Sequence, residues 1–266
     1  MPEIVRIKDP QDDRIAAYRA IKERDLVGRD GLFVAEGKVV LNVLFAARRF
    51  DPHSVLVLEN RLAGLVETLA AAPENMPVYV ASQDVMDGIA GFHVHRGILA
   101  LGRKRAPESA ASLLQALPGS ALVLLLVGIS NHDNMGALFR NAAAFDADAV
   151  LLDESCCDPL YRKSIRVSVG AVLKVPFAVG ESAAELLSAL RDTRFEAISL
   201  SPRGEWDIAT LDQPPRVALV LGAEGPGLPD GILCATRTAR IAMSGSFDSL
   251  NVATAAAIAL HRLWRP

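Results

Sequence analysis

Three short stretches of this chain carry side chains able to hold a ligand and steady a charge on it. In GISNHDNMGALFRNAAAF, residues 128–145, Asn134 and Arg140 follow an apolar run and enter a helical pattern. In LVLGAEGPGLPDG, residues 219–231, glycines surround a single acid, Glu224. In RIAMSGSFDSLNVATAAAIALHRLW, residues 240–264, a short strand, RIAM, leads to Ser249 and Asn251, which stand just ahead of an alanine-rich helix. A guanidinium and a carboxylate form charge-assisted hydrogen bonds. Glycines clustered at a strand end let a ligand approach the backbone closely.

The glycine loop is not a dinucleotide site. Such sites need G-x-G-x-x-G after the first strand, opening straight into a helix. Here Gly222, Gly225 and Gly227 give G-x-x-G-x-G after the fifth apolar run of the second part, and Pro226 and Pro229 interrupt any helix starting there. A tight turn and a ligand-binding loop both fit this pattern. The other two stretches also have structural explanations. Asp133 or Asn134 can cap the first helix, and Asn251 or Ser249 the second. Arg140 fits a surface salt bridge as well as a functional role.

The elements that must position these loops form an α/β fold. Near-continuous apolar runs at 121–128, 148–152, 175–179, 196–200 and 216–222 read as strands of a parallel sheet buried on both faces. Helical patterns lie between them: MGALFRNAAAFDA, PLYRKSIRVSVGAV and SAAELLSALRDT. Ligands of such sheets bind beyond the carboxyl ends of the strands, where the three loops are expected to converge. Ahead of this part, GLFVAEG, HSVLVLE, MPVYVAS and HVHRGILALG read as strands, and DRIAAYRAIKERDLVGRDG as a helix ended by glycine. The basic, proline-containing GRKRAPESAAS marks a boundary, giving a small α/β domain at 1–105 and a larger one at 106–266.

Composition narrows the class. Of 266 residues 51% are hydrophobic and 22% charged, as expected of a soluble globular protein. The charged start shows no secretory signal, and the longest apolar stretch, ALVLLLVGI, is too short to span a membrane. Cys156, Cys157 and Cys234 suit reduced thiols in the cytoplasm. No histidine or further cysteine stands at ligand spacing, so no metal is expected. A net charge of −3 argues against coating nucleic acid by charge alone, though not against a local basic patch.

Taken in order, N-x-G-A-x-x-R-N (Asn134 to Asn141), LGAEGPG (221–227) and IAMSGSFDSLNVA (241–253) resemble the three motifs of the SpoU/TrmH family of RNA ribose 2′-O-methyltransferases, in the SPOUT superfamily. CDPLYRKSIRVSVGAV, with Arg166, Ser168 and Gly170, is similar to the family's segment after the second strand. FVAEG and HRGILA resemble its small substrate-binding domain. Two departures are Ala242, where the family usually has proline, and Asn131–His132 in place of Asp–Pro.

The resemblance implies a C-terminal SPOUT domain with a deep trefoil knot, a homodimer through that domain, and S-adenosylmethionine held near Gly222, Ile241 and Leu250. It assigns the ribose 2′-hydroxyl to Arg140, with Asn134, Glu224, Ser249 and Asn251 around it. Because a guanidinium stays protonated, the preferred route has Arg140 stabilising the developing alkoxide while a phosphate oxygen or water takes the proton. The other route is a guanidinium deprotonated by its site. Glu224 is expected to fix Arg140. RNA contacts are sought among Arg14, Arg19, Lys22, Arg24, Arg29, Arg48 and Arg49. Ribosomal RNA is preferred to transfer RNA as substrate. The competing readings are a non-catalytic RNA-binding protein that keeps the knotted fold, and an enzyme methylating a base.

Overall fold

The structure is a computed structural model. It describes residues 2–19, 31–90, 96–180, 182–244 and 248–265. The chain divides into two compact units: Met1–Arg105 with Leu160–Lys174, and Ala106–Pro159 with Val175–Pro266. The domain boundary expected from the sequence puts residues 160–174 in the second part; their contacts put them in the first.

The first unit holds a five-stranded sheet in the order β1-β4-β3-β5-β2. Its strands are β1 (Glu3–Arg6), β2 (Leu32–Glu36), β3 (Asp51–Leu58), β4 (Pro77–Ala81) and β5 (Ile98–Arg103). β1, β4 and β3 pair in parallel, and β5 runs antiparallel to β3 and β2. Helices α1 (Lys38–Ala47), α2 (Glu59–Leu62), α3 (Val66–Ala70) and α4 (Gln83–Ala90) complete the first stretch. The helix expected from Asp13 is, within the described residues, a 3-10 segment Asp13–Tyr18 that gives way to extended backbone at Arg19. The expected remainder at 20–30, and residues 93–95 of the last strand signal, lie outside the described residues. Tyr18 is buried in the core with Ile15, Leu56 and Leu99, and its hydroxyl shares a hydrogen bond with Ser54 at 2.8 Å.

The segment from Leu160 belongs to this unit through α7 (Arg162–Val167) and α8 (Ala171–Lys174). One helix was expected here. Val169 and Gly170 break it by taking positive φ, 54° and 87°.

The second unit is built on a seven-stranded sheet in the order β10-β12-β9-β11-β6-β7-β8, every pair parallel. The strands are β6 (Ala121–Val127), β7 (Ala149–Leu152), β8 (Phe177–Val179), β9 (Glu196–Leu200), β10 (Trp206–Asp207), β11 (Arg216–Gly222) and β12 (Arg237–Arg240). Its helices are α5 (Ala110–Ala116), α6 (His132–Ala144), α9 (Ala183–Asp192), α10 (Asp230–Ala235) and α11 (Val252–Leu263). The inner strands read as unbroken apolar runs because both faces are covered. Val123, Leu125 and Val127 pack among Leu113, Leu186 and Leu190, while the alternate residues Leu122, Leu124 and Leu126 are buried on the other face. On this sheet Gly222 pairs with Val127, and Val220 with Ser199, so β6, β9 and β11 end together. Their following loops therefore open on one end of the sheet.

RIAM does not form the expected strand. β12 stops at Arg240, whose partner Asp207 is the last residue of β10, and Ile241–Ser244 continue without regular structure. Beyond that point no strand among the described residues offers a ladder, so the chain leaves the sheet with Ile241 at the strand end.

Candidate active site

The loop after β11 is a tight turn as well as a wall. Ala223 and Gly227 bridge each other, Gly227 N–H donates to the Ala223 carbonyl at 3.1 Å, and Gly225 and Gly227 sit at φ 88° and 70°. Gly222 is required by close approach: a Cβ there would stand 2.5 Å from Gly227 C and 2.6 Å from Leu228 N. Those atoms are backbone and cannot swing aside. Pro229 precedes α10, a short helix that follows the turn.

This turn, the loop after β9 and the segment after β12 enclose a cavity of about 450 Å³, within the roughly 300–1,000 Å³ of small-molecule sites. Gly222, Glu224, Ile241, Ser249 and Leu250 line it, and Asn251 closes one side. Leu221, Leu228 and Val252 add apolar wall. Glu224 is the one charged residue among the described residues of the lining. Ser201 and Pro202 also line the cavity and escaped the sequence reading. Their signal was available, since they directly follow the apolar run 196–200.

Asn251 is the hub of the site. Its Oδ1 caps α11, accepting from Ala253 N–H at 3.0 Å and Thr254 N–H at 3.3 Å. Its Nδ2 donates to Asn134 Oδ1 at 2.9 Å and to Glu224 Oε1 at 2.6 Å. One amide thus ties a residue from each of the three loops. Asn134 is buried, so its oxygen needs that donor. A second tie joins the helices: Asn141 Nδ2 donates to the Ala253 carbonyl at 2.7 Å.

Two expectations are corrected. The cap of α6 is Asn131, not Asp133 or Asn134: its Oδ1 accepts from Asp133 N–H at 2.7 Å and Asn134 N–H at 3.3 Å. The helix begins earlier than the apolar pattern indicated, which puts Asn134 in its first turn and leaves its side chain for Asn251. Nor does Glu224 hold Arg140: no hydrogen bond or ion pair joins them among the described residues, and Glu224 accepts from Asn251 instead. Arg140 is exposed, makes no hydrogen bond or ion pair among the described residues, and does not line the cavity. The helix explains this. Arg140 follows Asn134 by six residues, about 600° at ~100° per residue, and so points about 120° away from it.

The loop after β7 buttresses the one after β6. Asp153, buried, accepts from Gly128 N–H at 3.0 Å and from the Ser155 hydroxyl. Cys156 Sγ accepts from Ile129 N–H and donates to the Leu126 carbonyl. Burial pushes the Cys156 thiol up to about 12 and that of Cys157 up to about 11. Neither is a nucleophile near neutral pH. Iodoacetamide at pH 8 is expected to label exposed Cys234 alone, with the other two reacting only in denaturant; mass mapping of the native protein checks this.

A family model described as the SpoU rRNA Methylase family matches residues 121–261, which span β6 to α11 and so all three loops. The chain belongs to the SpoU rRNA methylase family. Relatives named as methyltransferases cover the rest of it as well. The chain is 38% identical to an uncharacterized tRNA/rRNA methyltransferase of Mycobacterium bovis, across 99% of this chain and 92% of that one. It is 30% identical to the 23S rRNA (guanosine-2′-O-)-methyltransferase RlmB of Acinetobacter baylyi, across 81% of this chain and 91% of the relative. Its fold matches the AdoMet-bound rRNA methyltransferase of Sinorhizobium meliloti with a TM-score of 0.82 at 20% identity, covering 98% and 97% of the two chains. Among the described residues no helix is long and apolar enough to cross a membrane, and no group of three His, Cys, Asp or Glu stands where it could hold a metal.

Proposed function

We propose that this SpoU protein is an S-adenosylmethionine-dependent RNA ribose 2′-O-methyltransferase of the cytoplasm, with ribosomal RNA as substrate. The observation that carries the reading is the cavity at the strand ends, lined among the described residues by one carboxylate and no cation, with Asn251 tying all three loops beside it. A wall whose described residues include no lysine or arginine does not suit a polyphosphate, and a carboxylate suits a ligand bearing positive charge. S-adenosylmethionine, when bound, supplies a methyl group on a positively charged sulfur that leaves without needing a proton.

Backbone groups of the 222–227 turn, with Ile241 and Leu250, would hold the cofactor. The ribose 2′-hydroxyl must lose a proton as its oxygen attacks; Arg140, exposed on α6 outside the wall of the cavity, would stabilise the charge that develops there from the RNA side once the substrate is bound. The proton passes to a phosphate oxygen of the RNA or to water. Asn134, Glu224, Ser249 and Asn251 orient the reacting groups. The name of the Acinetobacter relative supports 23S ribosomal RNA as the first substrate to test. The second unit is read as a trefoil knot, supported by the insertion of β11 between β6 and β9, both of which precede it in the chain. It is also read as the contact of a homodimer, which light scattering on the intact chain tests.

The deciding experiment is transfer of a labelled methyl group from S-adenosylmethionine to unmodified ribosomal and transfer RNA, followed by nucleoside digestion. Label on a ribose in ribosomal RNA is expected. Label on a base would assign the enzyme to base methylation. No label and no cofactor binding would leave the non-catalytic RNA-binding protein. Gly222→Ala adds a check on the cavity. The close approach at Gly222 predicts a stability loss of about 1–3 kcal/mol by thermal melting. Calorimetry on the folded variant should show at least tenfold weaker S-adenosylmethionine binding.

A further inference from the structure

Of the basic residues singled out near the N-terminus, Arg14, Arg19 and Arg49 are already engaged, and Arg48 is exposed with only its carbonyl bonded among the described residues, to Arg105. Arg14 pairs with Asp12 at 2.5 Å, a hydrogen-bonded contact that holds the Asp12 carboxyl down to about 2. Arg19 donates to the Pro10 carbonyl, and Arg49 lies over the Phe50 ring. Lys22, Arg24 and Arg29 lie outside the described residues.

A different set of cations converges at the carboxyl ends of β2 and β3. Arg96 lies across Gly37, the residue before α1: a Cβ on Gly37 would be 3.1 Å from Arg96 Cδ and 3.3 Å from its Nη1. The stem of Arg61 rests against the neighbouring Gly97, 3.2 Å from where a Cβ would stand. Lys38 Nζ reaches the Gly64 carbonyl at 2.8 Å. Hydrogen bonds from Gly37 N–H to the Ile98 carbonyl and from Leu58 N–H to the Gly97 carbonyl lock these turns together. The acids on the same elements are already engaged: Glu36 with Arg162 at 3.4 Å, Glu59 with Arg6 at 2.6 Å. Arg61 and Arg96 are exposed and form no hydrogen bond or ion pair among the described residues. α1 has no acid in its first turn, so its amino end adds to the positive field without creating it.

We propose that Lys38, Arg61 and Arg96 grip the phosphate backbone of the RNA substrate. Like charges gathered without a counter-charge repel one another in the free protein, and an external anion relieves that repulsion. Two unengaged guanidiniums with a nearby ammonium suit successive phosphates of a backbone, since each guanidinium can take a phosphate through two parallel hydrogen bonds. The inference rests on the RNA-methyltransferase reading for the identity of the anion.

The test uses the full chain and its Arg61→Gln/Arg96→Gln variant, which keeps the stems and removes two charges. Binding of unmodified ribosomal RNA is measured by filter retention across a salt series, together with S-adenosylmethionine binding and steady-state methylation. The slope of log affinity against log salt should fall by about 1.5 to 2. KM for RNA should rise about tenfold, with kcat, cofactor affinity and melting temperature unchanged. The same slope and KM as the unmodified chain would overturn the proposal while leaving the enzyme reading intact. An unmodified chain that transfers no methyl yet loses salt slope in the variant would support the patch and sink the enzyme. An unmodified chain that binds no RNA sinks both. Calorimetry with inorganic phosphate separates the remaining source: saturable binding lost in the variant, without any change toward RNA, would assign the patch to free phosphate.

Discussion

Arg140→Ala should slow methyl transfer by about 10²–10³-fold while leaving the protein as stable as before. Loss of a group that stabilises a developing oxyanion lowers kcat by about 10²–10³-fold. The structural cost should be within about 0.5 kcal/mol, because Arg140 is exposed and bonded to nothing among the described residues. Melting temperature and S-adenosylmethionine affinity are therefore expected to match those of the unmodified chain. Arg140→Lys separates the roles the guanidinium can play. An ammonium keeps the charge and loses the planar fork, so a fall of about tenfold would indicate that charge does most of the work. Retention of nearly the full rate would exclude both a special base and a two-point contact. Full activity in Arg140→Ala would remove Arg140 from the mechanism.

That expectation depends on where side chains point, which is the part of the site the sequence conveyed least well. The strands at 121–127, 149–152, 196–200 and 216–222 were legible because a parallel sheet covered on both faces leaves uninterrupted apolar runs. β1, EIVR, was not: it is an edge strand and three of its four residues are exposed, so burial imposes no pattern on it. The strand-end logic that grouped the three loops also holds for Ser201 and Pro202, which line the same cavity, whereas Gly222, Ile241 and Leu250 were singled out by the family resemblance.

What the chain order concealed was pairing. Three residues near the start of α6 are chemically able to cap it, and only the backbone bend at Asn131 decides among them. Glu224 and Arg140 look like natural partners by charge. Helical phase turns Arg140 away, while the cap of α11 delivers Asn251 to Glu224 instead. Residues 160–174 read as part of the second domain because they follow its second strand directly. Their contacts, including Arg162 with Glu36 across 126 positions of sequence, belong to the first unit.

Asn251→Asp should be the most informative single change, because it divides what Asn251 does for the fold from what it does for the site. Aspartate caps a helix as well as asparagine does, so the acceptor for Ala253 and Thr254 survives. The donor does not. Asn134 loses its partner while buried, at a cost of about 1–3 kcal/mol, and a second carboxylate is set where the amide stood 2.6 Å from Glu224. A lower melting temperature and a loss of methyl transfer of at least about 10²-fold are expected. Adding Glu224→Gln to the same chain then supplies a donor facing the introduced carboxylate and removes the repulsion. The cost at Asn134 remains, so only the part of the loss due to repulsion is recovered. If Glu224 serves only to hold Asn251, stability and activity recover by that part together. If its carboxylate also faces the positive charge of the cofactor, stability recovers by that part and cofactor affinity does not, and the carboxylate is assigned to binding. Unimpaired activity in Asn251→Asp alone would show that the link between the three loops is structural decoration around a site organised in some other way.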